Sequence, residues 1–146
     1  MSEKTMKSEI AGMLIQRALE ARKNSYAPYS GYLVGAALLA EDGTVYTGVN
    51  VENASYPAGI CAERTALSKA VSEGRRHFKA IAVVGGRREE SAGCLKEDCT
   101  PCGICRQSLA EFCTPDFPVI TAKSITDYRI HTLGELLPFS FSLSCP

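Results

Sequence analysis

Apolar residues at Ile10, Met13, Leu14, Ala18 and Ala21 recur at three- and four-residue spacing, which predicts an amphipathic helix over residues 6–24. An aromatic, proline-containing loop from Tyr26 to Tyr32 separates it from an apolar run, Val34 to Ala40. Glu41-Asp42-Gly43 interrupts that run before a second one, Val45 to Val51, so the pair reads as two strands joined by a hairpin turn. The segment CAERTALSKAVSE, opening at Cys61, puts Ala66, Leu67, Ala70 and Val71 on a narrow stripe, and Gly74 closes this second helix. Lys79 to Gly85 reads as a buried strand, and the polar stretch Gly86 to Thr100 as an exposed loop. Pro101 stands where prolines favour helix starts, with ICRQSLAEF continuing as a third helix. Val119 to Lys123 and Tyr128 to His131 predict short strands, and Thr132-Leu133-Gly134-Glu135 is a capping-box pattern ahead of a short last helix at Leu136 and Leu137. The order α-β-β-α-β-α-β-β-α, with no internal repeat, predicts an α/β fold: a mixed sheet with helices on its faces.

Length sharpens this to a single domain, residues 1–146, large enough to bury a core without covalent staples. Charge narrows the partners. Lys plus Arg and Asp plus Glu are 16 each, so no net field draws the chain to nucleic acid or a membrane surface. No apolar run approaches the ~20 residues that span a bilayer, and the start, MSEKTMKSEIAGM, lacks the apolar core of a secretory signal. A cytoplasmic location is the resulting expectation. Seven cysteines, at 61, 94, 99, 102, 105, 113 and 145, then call for a role other than disulfides, which are rare in the reducing cytosol. Cys113 reads as a small buried hydrophobe and Cys145 as an exposed thiol. His77 and His131 stand far from the cysteine motifs and read as surface or packing residues.

The candidate chemistry concentrates in CTPCGIC at 99–105. Cysteines at intervals of three suit a structural zinc knuckle, a thiol redox centre or half of a catalytic zinc site. Cys61 lies at the start of one predicted helix, and Cys102 and Cys105 at the start of another. A helix N-terminus carries unsatisfied N–H groups and about half a positive charge, which lowers a thiol's pKa. Two such starts facing each other would supply three thiolates and leave a fourth position open, the pattern of a catalytic zinc; a structural zinc is normally closed by four ligands. A zinc-ribbon module built from Cys94, Cys99, Cys102 and Cys105 would leave Cys61 and Glu63 without a role. A redox motif would be expected near a thioredoxin-like βαβ pattern, which the chain lacks.

Cys61-Ala62-Glu63 and, further on, Pro101-Cys102-Gly103-Ile104-Cys105-Arg106-Gln107 resemble the zinc signature of the cytidine deaminase superfamily. PYSGYLVGAALL at 28–39, GVNVENASYPAGICAERTAL at 48–67 and LLP at 136–138 extend the resemblance to the small single-domain cytidine deaminases over nearly the whole chain. The resemblance implies a three-layer α/β/α fold with a mixed five-stranded sheet. It implies one Zn²⁺ per chain on Cys61, Cys102 and Cys105, with Glu63 as proton shuttle and not as ligand. Cys61 and Glu63 are two apart, about 200° around a helix, so Cys61 should lie at or before the first helical position. Three thiolates on Zn²⁺ leave a net negative charge that opposes water ionisation. The resemblance assigns the withdrawal of that charge to Arg64, with Gln107 sharing in it.

On the substrate side, Asn50 and Glu52 are two apart on a predicted strand and share a face. The resemblance gives them the ribose hydroxyls, Tyr32 the base pocket, Ala62 a further substrate contact, and Tyr56 and Phe141 a reach into sites of neighbouring subunits in a homotetramer. Tyr32 replaces the family's usual phenylalanine and Leu33 its usual proline. Glu52 favours a nucleoside over blasticidin S, whose deaminases lack this acidic residue. The implied activity is deamination of cytidine and 2′-deoxycytidine in pyrimidine salvage. Editing of RNA or single-stranded DNA would need a basic groove that this neutral chain does not advertise. The loop at 86–100 is longer than the family's usual connection, and its Cys99 offers zinc a competing pair with Cys102.

Overall fold

The structure is a computed structural model that describes residues 3–143, so the thiol expected at Cys145 lies outside the described residues. Five strands, β1 (Tyr32–Ala40), β2 (Val45–Val49), β3 (Phe78–Arg87), β4 (Pro118–Ala122) and β5 (Tyr128–Thr132), form one sheet in the order β2-β1-β3-β4-β5. β1 and β2 are antiparallel across a turn in which Gly43 has φ 93° and Asp42 Oδ1 accepts the Thr44 N–H at 3.0 Å. β1 also runs antiparallel to β3, from Tyr32 opposite Arg87 to Leu39 opposite Ala80. β3 and β4 are parallel, and β4 and β5 antiparallel, which makes the sheet mixed. A parallel step requires a long crossover, and the segment carrying α3 (Gly103–Ala110) supplies it.

Strand alternation divides the core into two. Ala37, Leu39, Ala80, Ala82, Val84, Ile120 and Ala122 face α1 (Glu3–Arg22), which lays Ala11, Leu14, Ile15, Ala18 and Leu19 against them. That stripe is rotated from the one drawn on the sequence: Ala11, Ile15 and Leu19 go inward and Met13 outward. Ala36, Leu38, Ala40, Ile81, Val83 and Val119 face the other way, towards α2 (Ala62–Ser72), α3 and α4 (Leu133–Leu136). The result is the expected three layers around a five-stranded sheet.

Local differences from the sequence reading have identifiable causes. β2 stops at Val49, so Asn50 and Glu52 lie beyond it; Val51 instead makes isolated bridges to Tyr26 and Ile60. The 86–100 segment is not wholly exposed. β3 runs on to Arg87, and Leu95 drops into the α1-side core while its N–H donates to Lys123 O at 3.1 Å. The last helix begins at Leu133, directly after its Thr132 cap, and Leu137 terminates it.

Candidate active site

Two helix starts converge on one side of the sheet. α2 has Cys61 as its N-cap and α3 has Cys102, both in extended conformation, so Cys61 precedes the first helical residue as expected. The approach of α2 depends on Gly48 of β2: a Cβ there would lie 2.3 Å from Ala62 O and 2.4 Å from Ala66 N. Thr65 Oγ1 adds a bond to Val49 O at 3.0 Å, tying the first turn of α2 to the end of β2. The start of α3 is held by Arg106, whose Nε donates to Pro101 O at 2.7 Å and whose Nη1 donates to Leu136 O at 2.6 Å. Pro101 itself is fully buried.

The outcome is a triad of sulfurs. Cys61, Cys102 and Cys105 have ligand atoms within 4.8 Å of one another, and the Cys61 and Cys102 sulfurs are 3.8 Å apart. Two sulfurs each about 2.3 Å from one tetrahedral Zn²⁺ stand about 3.8 Å apart, so the spacing and the donor set fit that ion. Among the described residues, neither Cys94 nor Cys99 belongs to this cluster. His77 and His131 are also outside it; His131 Nε2 lies 3.2 Å from Thr121 Oγ1.

The surroundings favour thiolate at Cys61, the partly buried member of the triad. A bond shared with Cys105, then the Arg64 guanidinium and Cys102, hold Cys61 down to about 5. Cys105 goes the other way, because it keeps the proton of the bond shared with Cys61 and is buried. Arg64 Nη2 stands 3.8 Å from Cys61 Sγ, close enough for the guanidinium charge to act on that sulfur. Its Nε is buried with no hydrogen-bond partner among the described residues, an orphaned donor of the kind that a completed site usually satisfies. Glu63 is only 4% exposed, and burial pushes its carboxyl above the usual range, with the Cys61 charge adding to the effect and Cys105 opposing it. A carboxyl raised in this way holds a proton more readily than an exposed one, as a proton carrier must.

The remaining candidates are placed as follows. Ala62 is fully buried as the first residue of α2, where a backbone N–H has no intrahelical acceptor. Tyr32 is half-buried at the start of β1. Glu52 lines a cleft of about 370 Å³ with Tyr29, Ser30, Asn53, Tyr56 and Gly59. Its Oε1 accepts the N–H groups of Tyr29 and Ser30 at 3.0 and 3.1 Å, and the Ser30 hydroxyl bond leads the causes holding its carboxyl below the usual range. The Asn50 amide is engaged with β1: Oδ1 accepts from Val34 N at 2.9 Å and Nδ2 donates to Tyr32 O at 2.8 Å, leaving one N–H and one lone pair without a partner among the described residues. Gln107 Nε2 donates to Phe141 O at 3.3 Å. Tyr56 and Phe141 are 79% and 68% exposed, and Tyr56 meets the Tyr29 ring edge-on at 6.3 Å.

Three arginines that pattern reading passed over hold this geometry. Besides Arg106, buried Arg22 donates to Leu33 O, Gly86 O and Arg87 O at 2.8–3.0 Å, locking the ends of β1 and β3 together. Arg88 clasps the 27–31 loop through Ala27 O and Gly31 O. Arg106 had a signal, since it sits inside the cysteine string; Arg22 and Arg88 had none, because their acceptors are backbone carbonyls far away in sequence.

Residues 8–121 match the family model described as the cytidine and deoxycytidylate deaminase zinc-binding region. A cytidine deaminase of Sporosarcina psychrophila is 49% identical over 129 residues, covering 88% of this chain and 89% of the relative. One from Halalkalibacterium halodurans is 49% identical over 130 residues, covering 89% and 92%. The crystal structure of cytidine deaminase from Burkholderia pseudomallei superposes with a TM-score of 0.77 at 46% identity, covering 88% of this chain and 97% of that one. That of cytidine deaminase from Mycobacterium tuberculosis gives 0.74 at 38% identity, covering 90% and 96%.

Proposed function

This chain belongs to the cytidine and deoxycytidylate deaminase family, and from that premise we propose that it hydrolyses cytidine and 2′-deoxycytidine to uridine and 2′-deoxyuridine, releasing ammonia. The observation that carries the reading is the convergence of three sulfurs from two helix starts beside a buried carboxyl two residues from one of them.

Cys61, Cys102 and Cys105 hold the metal. Zinc bound there lowers the pKa of a water molecule, so that a nucleophile is available at neutral pH. In the reaction the water oxygen bonds to C4 of the base, and the bond from C4 to the exocyclic nitrogen breaks. Glu63 accepts the proton released by the water and passes it to N3; the second water proton follows the same route to the departing nitrogen. Ammonia leaves and Glu63 ends in the state in which it began, so atoms and protons balance. Arg64 draws charge from the Cys61 sulfur, and Gln107 supports the same end of the site. Tyr32 forms the base wall, Ala62 offers its backbone N–H at the start of α2, and Asn50 and Glu52 take the ribose hydroxyls.

The chain acts as a homotetramer with shared sites in pyrimidine salvage in the cytoplasm. The support for sharing is the exposure of Tyr56 and Phe141, two large aromatic side chains that one subunit leaves largely uncovered.

The test compares cytidine, 2′-deoxycytidine, 3′-CMP and a short cytosine-containing single strand by loss of cytosine absorbance and by ammonia release. Both nucleosides should turn over, while 3′-CMP should lose about a thousandfold in efficiency. The reason is that a phosphate against the Glu52 carboxylate costs roughly 4 kcal/mol at 4 Å and an effective dielectric of ~20. Comparable efficiency on the phosphorylated substrates would remove Glu52 from ribose recognition; no ammonia from either nucleoside would remove the proposed activity.

A further inference from the structure

Gly85, Cys99 and Tyr32 meet at the edge of the site, and the catalytic reading uses only the last of them. Side chains alternate between faces along a strand. Ala36 and Leu38 of β1, and Ile81 and Val83 of β3, fill the side of the sheet that carries α2 and α3. The same parity continued along each strand puts Tyr32 and Gly85 on that side. Glycine inside a strand weakens it, and Gly85 is not among the residues with positive φ that would demand it. What it provides is space. A Cβ at Gly85 would lie 2.7 Å from Cys99 Sγ, 2.9 Å from Cys99 Cβ and 3.0 Å from Tyr32 Cε1. The Cys99 side chain therefore fills the hollow and the Tyr32 ring lies against it.

The contact is steric, and both partners stay neutral: burial, the largest cause in each case, pushes the Tyr32 hydroxyl and the Cys99 thiol up to about 12. Cys99 is partly buried against the core cluster on the α2 and α3 side. Fully buried Pro101 follows two residues later, leading directly into Cys102 at the start of α3, so the backbone under Cys99 has little room to yield.

We propose that Cys99 is a positioning residue for the base wall: seated over Gly85, it fixes the height and tilt of the Tyr32 ring. This rests on the reading of Tyr32 as the residue that packs on the base. Tyr32 and Cys99 meet over the same glycine, so they act as a pair. The thiol that offers zinc a competing pair on the sequence thereby acquires a separate role.

The experiment measures kcat, KM for cytidine and zinc content in Cys99→Ala, Cys99→Ser, Tyr32→Ala and the Cys99→Ala/Tyr32→Ala double variant. Emptying the hollow over Gly85 should raise KM about three- to tenfold in Cys99→Ala, the scale of a small buried truncation, with kcat and zinc content nearly unchanged. Cys99→Ser, which keeps a side chain of similar size, should stay within about twofold of the parent in KM. In the Tyr32→Ala background, Cys99→Ala should add less than about twofold, because the ring it positions is already gone. Equal KM ratios in both backgrounds, or an unchanged KM in Cys99→Ala, would overturn the proposal, as would loss of zinc in Cys99→Ser. An unchanged KM in Tyr32→Ala would overturn the reading of the base wall itself and this proposal with it. A raised KM in Tyr32→Ala beside an unaffected Cys99→Ala would overturn the pairing alone.

Discussion

At the start of α4, Thr132 Oγ1 accepts the Glu135 N–H at 3.2 Å while Glu135 Oε1 accepts the Thr132 N–H at 3.3 Å, whereas α2 and α3 begin on cysteines whose side chains cap nothing. In α4 the exposed donors of the first turn are satisfied within the chain, which serves stability alone. In α2 and α3 the positive ends are left to face sulfur, and the first turns carry Glu63 and Cys105 inward. A good N-cap is typically worth ~1 kcal/mol, so the two cysteine starts forgo local stability at the positions where the chain needs thiolates. The contrast shows that helix ends here serve two purposes. One closed end orders the chain, and two open ends build a site.

Replacing sulfur by oxygen at an open end would break the contrast most completely. Cys102→Ser should take zinc from about one per chain to near zero, with deamination lost, as metal analysis and ammonia release would show. Serine is nonetheless the better cap. The variant should therefore melt no lower than zinc-stripped parent protein; a lower melting temperature would mean that Cys102 stabilises the helix start by itself. Cys105→Ser should lose the metal likewise, and retained zinc in either variant would indicate another ligand set.

Glu63→Gln leaves the three sulfurs in place and isolates the proton path. Zinc content and cytidine binding should persist while kcat falls about 10²- to 10⁴-fold, the usual contribution of a general acid–base group. Turnover near that of the parent would take Glu63 out of the mechanism. The smallest effect is expected at the closed end. Thr132→Ala should cost about 1 kcal/mol, a fall of roughly 2–4 °C in melting temperature for a chain of this size, with zinc content and kcat unchanged. A loss of activity there would mean that α4, through the Arg106 bond to Leu136 O, transmits to the start of α3.

The amino-acid order by itself determined whatever is written in neighbouring residues. The nine elements appeared in the expected order, because strand alternation, helical spacing and the Thr132–Glu135 capping box act over one or two turns. The cysteine string and Cys61-Ala62-Glu63 pointed to the zinc triad for the same reason: each half lies at a single helix start. Boundaries slipped where contacts from afar decide them. β2 ended early because Val51 pairs with Tyr26 and Ile60, and the polar 86–100 stretch gained a buried anchor because Leu95 finds space beneath α1.

Only the tertiary structure decided how far apart the sulfurs stand, how deeply Glu63 is buried and where the arginine donors end. It also seated Cys99 in the hollow of Gly85 beside Tyr32, a meeting of three residues far apart in the chain that the β1–β3 register and the following loop bring about. Such distances depend on strand register and on the close approach of α2 at Gly48. Those are set by packing among residues remote in the chain, and no local pattern encodes them.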